Sequence, residues 1–265
     1  LIFVGIPPTI AVGTQSNQLV ASSITGALGH WHKGNVDFQI GGLMLAGSII
    51  GSVIGVLLFS LLKYLGQIDL VISLSYVFLL GSIGIIMLVE SLNSWLGFIK
   101  KKELPEGEKT KWQHFKASLP YQTRFQKSNI YISALLPTAV GFVGGLMVAI
   151  MGVGGGFILV PAMIYILGMS PLLVAGTSLF QIIFTTAFTT VLHAITNQSV
   201  DLVLALVLIV GSVVGAQFGV RVSRHIKGNY ARLALSLMIV FVALRLAYDL
   251  VIEPEHIYSI VVRGE

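Results

Sequence analysis

Long apolar runs separated by short polar breaks fill the sequence. They cover residues 10 to 31, 37 to 63, 68 to 98, 131 to 151, a shorter run 156 to 168, then 173 to 195, 201 to 222 and 229 to 252. Residues 1 to 5 read as the end of a further run. About 20 apolar residues in a helix cross the ~30 Å of bilayer hydrocarbon, so the pattern predicts an all-α, polytopic membrane protein. Its one long polar connection, 100 to 128 with Pro105 and Gly107, separates residues 1–99 from 129–265.

The two parts are related. At an offset of 163, Gly13 pairs with Gly176, Thr14 with Thr177, Gln18 with Gln181 and His30 with His193. One inserted residue shifts the offset to 164, and Val36-Asp37 then pairs with Val200-Asp201, Gly47-Ser48 with Gly211-Ser212, Gly51 with Gly215 and Gly55 with Gly219. Chance likeness between apolar segments would mostly exchange one aliphatic residue for another, whereas here the polar and glycine positions coincide. An internal duplication follows, of the kind that builds secondary transporters. Because Leu1 aligns with Ile164, the first repeat lacks a counterpart of 131 to 163, and some 30 residues are expected before Leu1. With no charged region ahead of it, the apolar start reads as the stub of a helix and not as a signal peptide.

Composition agrees and adds orientation. Hydrophobic residues make up 55% of the 265 and charged ones 10%, with a mean hydropathy of +0.90, against about 25% charged in soluble domains. Residues 100 to 127 hold eight of the 16 basic residues and three of the 11 acids, which accounts for the whole net charge of +5. The excess is therefore a topology signal and not a face for nucleic acid: the 100–128 loop is expected in the cytoplasm, at the inner membrane. Arg221, Arg224 and Lys227 place the next basic connection on the same side. Each repeat then crosses an odd number of times and the two are inverted, with the 156 to 168 run either a short crossing or half of a re-entrant hairpin. There is no cysteine, and no His, Asp and Glu spacing suits catalysis or metal binding, so no enzyme, cofactor or metal is expected.

The candidate chemistry is polar but uncharged. Gly152-Val-Gly-Gly-Gly156, followed by Pro161, concentrates glycine inside an apolar run, where each costs about 1 kcal/mol of helix stability relative to alanine. A break there would expose backbone N–H groups and a helix N-terminus suited to an anion; close helix packing is the alternative. Thr14 with Gln18, and Thr177 with Gln181, stand four apart at the starts of matching helices, so each pair shares a face. Brought together, they could hold a desolvated anion with hydroxyl and amide donors. His30 and His193 could gate or couple protons, or be rings beside a loop. Asp37 and Asp201 read as N-caps, and the glycine faces at 47 to 55 and 211 to 219 as helix packing. Arg245 and Asp249, four apart, could pair, and Glu90 is a weaker intramembrane charge.

On the Gly152–Gly156 break with Pro161, the Gly176-Thr-Ser178 helix start, His193 and Asp201 with its glycine face, the sequence resembles the sulfite exporter TauE/SafE family, also called the toluene sulfonate uptake permease group. The resemblance implies a transporter of sulfite, sulfonates or related organic anions across the inner membrane, most simply exporting by alternating access. An anion channel, or a permease for small carboxylates, is the alternative. Carried over by position, it marks Gly154, Gly155, Gly156, Gly176, Thr177, Ser178 and Gln181 for the substrate, with Gly13, Thr14, Asn17 and Gln18 as their mates. Gln15 and Ser16 depart from Ser178 and Leu179 of the second repeat. The expected partners are a small anion and the lipid bilayer, in an arrangement compatible with a homo-oligomer.

Overall fold

A computed structural model describes residues 6, 8–96, 119–152, 156–197, 201–223 and 228–251. The helices are α1 Pro8–His32, α2 Phe38–Tyr64, α3 Ile68–Leu96, α4 Leu135–Met151, α5 Gly156–Pro161, α6 Pro171–Thr196, α7 Leu202–Ser223 and α8 Gly228–Val251. An antiparallel hairpin, β1 Gln122–Phe125 and β2 Ile130–Ser133, precedes α4. The chain is thus mostly helical. Among the described residues, Phe38–Tyr64, Ile68–Asn93 and Pro171–Thr196 are long and apolar enough to cross a membrane. The basic stretch 100 to 118, Gly154 and Gly155, the connection 224 to 227 and the side chain of Glu90 lie outside the described residues.

Two details differ from the sequence reading. The run taken to start at 131 begins as a strand, and its helix starts at Leu135. Phe125 and Ile132 of the hairpin are buried in one apolar cluster with Ile40, Met44, Leu136 and Leu159. Their hydrophobicity therefore serves packing on a helical core and not a crossing. The short run 156 to 168 is α5 continued by a π-helical turn, Ala162–Leu167. Pro161 supplies no N–H, and its ring crowds the carbonyl four residues back, which favours the wider turn there. At ~1.5 Å per residue this helix is well short of a ~30 Å bilayer core.

Compact units do not follow the repeat boundaries. One unit holds α1, α2, the hairpin, α4, α5, α6 and α7; the other holds α3 beyond Asp69 and α8. In the smaller unit Gly84 of α3 packs against Ile239 and Val240 of α8. Arg245 and Asp249 form an exposed ion pair one helical turn apart, and the guanidinium lies 5.8 Å from the Tyr248 ring centre.

Glycine builds the larger unit. A Cβ at Gly47 would stand 2.0 Å from the Thr138 carbonyl oxygen, one at Gly51 2.1 Å from that of Phe142, and one at Gly141 2.0 Å from that of Met44. α2 and α4 are therefore in backbone contact along a parallel seam, as small residues allow in membranes. α1 and α6 run antiparallel, because Gly26 meets Leu179 while His30 meets Gly176. Left-handed glycines end α4 at Gly152 (φ 69°) and the π turn at Gly168 (φ 81°), a role glycine fills without a Cβ penalty. Gly152 also lies against the Val12 carbonyl of α1, where a Cβ would come within 2.6 Å.

Candidate functional site

The side chains with anion chemistry collect on α6. Thr177, Gln181, Thr185, Thr189, His193 and Asn197 follow one another at four-residue steps, and all are buried. Residues four apart lie one above another on a helix, so they form a polar ridge. The facing ridge of α2 carries Ser48, Ser52 and Ser60 at the matching period. Ser48 Oγ and Thr185 Oγ1 are 2.7 Å apart, Thr189 Oγ1 donates to Ser52 Oγ at 3.0 Å, and Ser60 Oγ donates to Asn197 Oδ1 at 2.7 Å. All three pairs are separated by 137 residues in sequence. The two helices therefore run parallel and in register, polar rung against polar rung.

At one end the ridge is closed by a joint between three helix C-termini. His193 Nε2 bonds the Ala149 carbonyl of α4 at 2.8 Å, and Asn197 Nδ2 meets His193 Nδ1 at 3.1 Å. Lys63 Nζ at the end of α2 donates to the Asn197 carbonyl at 2.8 Å, where a cation suits the negative end of a helix dipole. The Phe59 ring meets the imidazole edge to face at 4.7 Å. At the other end, the Asp37 N–H donates to Thr177 Oγ1 at 2.9 Å, while Asp37 Oδ1 caps the N–H groups of Gln39 and Ile40. Ser128, in the hairpin turn, donates to Asp37 Oδ2 at 2.5 Å.

The first repeat copies part of this. The Asp201 N–H donates to Thr14 Oγ1 at 3.1 Å, and Asp201 Oδ1 caps Val203 and Leu204. Thr14 and Thr177 are thus each bonded to the capping aspartate of the other repeat, and both aspartates are N-caps as their sequence context predicts. Gly13 is buried, whereas Asn17, Gln18 and His30 are half-buried. The structure does not gather all the predicted residues. Ser178 donates to the Ala175 carbonyl within its own helix. Gly176 fits against the Asn35 carbonyl, 2.1 Å from where a Cβ would be. Gly156 opens α5, and among the described residues Ile182 comes within 4 Å of where its Cβ would be, at 3.6 Å.

One rung has no complete partner. The in-register α2 position for Gln181 is Met44, an apolar residue. Gln181 Nε2 donates to Thr185 Oγ1 at 3.0 Å, but its Oε1 is buried with no hydrogen-bond partner among the described residues. A buried, unpaired amide oxygen costs about 1–3 kcal/mol, which a bound polar group would remove. The sequence reading found Gln181 but missed Thr185, Thr189, Asn197, Ser52 and Ser60 and read Ser48 as packing alone. The strict four-residue period from Thr177 to Asn197 was the available signal. Among the described residues no group of His, Asp and Glu could hold a metal ion.

Comparison with known proteins agrees on class. Residues 1–246 match the family described as Sulfite exporter TauE/SafE. The chain is 28% identical over 187 residues to the Bacillus subtilis "Probable membrane transporter protein YunE", covering 70% of this chain and 61% of that protein. It is likewise 28% identical over 185 residues to "Probable membrane transporter protein YjnA" of the same organism, covering 68% and 62%. The chain therefore spans about three fifths of the length of either relative. No solved structure matches.

Proposed function

The chain belongs to the sulfite exporter TauE/SafE family, and from that premise we propose that this membrane transporter moves small sulfur-containing anions, sulfite or sulfonates, outward across the inner membrane. The observation that carries this reading is Gln181, a wholly buried amide with one unpaired atom in a ridge whose other rungs are bonded. The ridge offers polar atoms and no fixed charge, which binds a desolvated anion without trapping it. Gln18 of the first repeat and the backbone around Gly154, Gly155 and Gly156 complete the proposed site.

Alternating access is supported by the relation between the repeats. Their matching helices, α1 and α6, run antiparallel, and the Thr14–Asp201 and Thr177–Asp37 bonds are reciprocal. Inverted repeats rocking about a midplane site are the usual basis of such transport. In this scheme the hairpin end faces the cytoplasm with the basic loop, and the His193–Asn197 joint gates the opposite end. His30, the counterpart of His193, has a buried Nδ1 with no partner among the described residues and is assigned to gating at the hairpin end. An anion leaving a negative interior gains about 2.3 kcal/mol per charge per 100 mV, enough to drive export without a second ion.

Equilibrium counterflow in liposomes tests the reading. Labelled sulfite or methanesulfonate should accumulate against unlabelled anion in vesicles carrying the parent protein. Gln181→Ala should lower the rate at least about tenfold, the equivalent of one lost buried hydrogen bond to a charged ligand. Saturation-free flux without counterflow would instead mark a channel, and equal rates in correctly inserted Gln181→Ala and Gln18→Ala proteins would reject the site.

A further inference from the structure

We infer that Ser48 and Thr185 fix the polarity of the Gln181 amide so that the site takes a sulfur oxyanion still carrying a proton, such as hydrogensulfite, in preference to a fully deprotonated one. The inference rests on the transport reading and names the form of its substrate.

The order of donors decides the matter. A serine hydroxyl has one proton, and that of Ser48 goes to the Leu45 carbonyl at 2.9 Å. In the 2.7 Å contact between Ser48 and Thr185 the donated proton is therefore that of Thr185. Having spent its proton, Thr185 can only accept from Gln181, as it does from Nε2 at 3.0 Å. The amide is thereby oriented, with its NH2 toward Thr185 and its carbonyl oxygen left buried and unpaired. What Gln181 can still offer a ligand is one acceptor and one N–H. A deprotonated sulfonate brings only acceptors, and one of its oxygens would face Oε1. Hydrogensulfite brings an O–H for Oε1 and an anionic oxygen for the N–H. Ser48 is thus a positioning residue for specificity and need not touch substrate.

The test is exchange of labelled sulfite and labelled methanesulfonate, which has no titratable proton, by reconstituted full chain as the pH is lowered from alkaline to mildly acid. Titratable groups on the helices packed against α6 are His30 and His32 on α1, Asp37, Lys63 and Tyr64 at the ends of α2 and Tyr165 in the π turn, with His193 on α6 itself. Methanesulfonate reports any effect of these groups on transport. In the parent, sulfite exchange should rise at least about tenfold relative to methanesulfonate exchange as the pH falls. Ser48→Ala removes the acceptor of the Thr185 proton, so Thr185 turns to the amide, the amide reverses, and two N–H donors face the ligand. The sulfite-to-methanesulfonate ratio at acid pH should then fall about tenfold. Thr185→Val, near in shape, should also collapse it. A parent protein that exchanges both anions alike at acid pH overturns this inference and leaves the transport reading standing, as does a Ser48→Ala ratio equal to the parent's. Exchange of neither anion by the parent overturns both.

Discussion

α1 and α6 carry matching Gly-Thr starts, yet only their clasps are alike. Each gives a threonine hydroxyl to the N–H of an aspartate that caps a helix of the other repeat, Thr14 to Asp201 and Thr177 to Asp37. Beyond the clasp they part. On α6 Thr185, Thr189 and Asn197 bond to α2 and His193 bonds to α4, whereas on α1 Ser22, the counterpart of Thr185, donates to its own Leu19 carbonyl. Ser48 and its counterpart Ser212 both donate to the carbonyl three residues back, Leu45 and Ile209, and Ser48 in addition meets Thr185 across the helices. The glycines diverge in the same way: Gly47 and Gly51 are in backbone contact with α4, while nothing among the described residues lies within 4 Å of a Cβ at Gly211 or Gly215. A repeat can therefore preserve its motif while the surroundings decide whether the motif packs, bonds or stands open. The clasp is the part both copies share, a threonine hydroxyl bonded to the N–H of a capping aspartate.

The strongest way to break the comparison is through glycine. A Cβ at Gly51 would lie 2.1 Å from the Phe142 carbonyl oxygen, and backbone cannot yield as a flexible side chain would. Gly51→Ala should cost about 3 kcal/mol or more, at the upper end of overpacking effects. Gly215→Ala, at the matching position, meets nothing among the described residues and should gain about 0.5–1 kcal/mol from helix propensity. Thermal unfolding in detergent measures both. If the two variants behave alike, close backbone packing is not what separates the halves.

Next in size is the joint. Asn197→Leu leaves Ser60 Oγ and His193 Nδ1 without their partners, and each orphaned group costs about 1–3 kcal/mol. In the first repeat the counterpart of the joint's His193 is His30, and His30→Phe removes a ring whose Nδ1 has no partner among the described residues. Its cost should be well under half of that for Asn197→Leu, read from the same unfolding curves. Similar losses would mean that the joint adds nothing to α6 that α1 lacks.

Much of this architecture was legible in the residues. The apolar runs located every helix to within a few positions, since burial in lipid imposes a length that periodicity cannot disguise. Matching Gly-Thr and Val-Asp pairs pointed to the residues that form the two clasps. The hairpin escaped because Ile130, Tyr131 and Ile132 run without a break into the apolar start of α4, and strand and helix are alike in a short hydrophobic run. Within the site, Gln181 was found by its pairing with Gln18, but the residues that orient it were not. Ser48 sits inside a Gly-Ser-x-x-Gly pattern that fits packing equally well, and only the register between α2 and α6 separates the two roles. Which partner a hydroxyl meets across 137 residues is a property of the packed structure. No local spacing records it.

The smallest expected difference tests the clasp itself. Thr177→Val and Thr14→Val each remove the acceptor of one aspartate N–H while nearly keeping the side-chain shape. Asp37 is buried at 1% exposure, so its N–H would be left dry and unpaired. The loss should fall within the usual range for such groups, about 1–3 kcal/mol. Asp201 is exposed, so water can replace the threonine, and the cost should approach the net value of an ordinary hydrogen bond, about 0.5–1.5 kcal/mol. Thr177→Val should therefore unfold at a lower temperature than Thr14→Val, and hydrogen exchange at the Asp37 amide should quicken more than at Asp201. The reverse order would mean that the two clasps, alike in their bonds, do not differ in burial as the surrounding hairpin and helices imply.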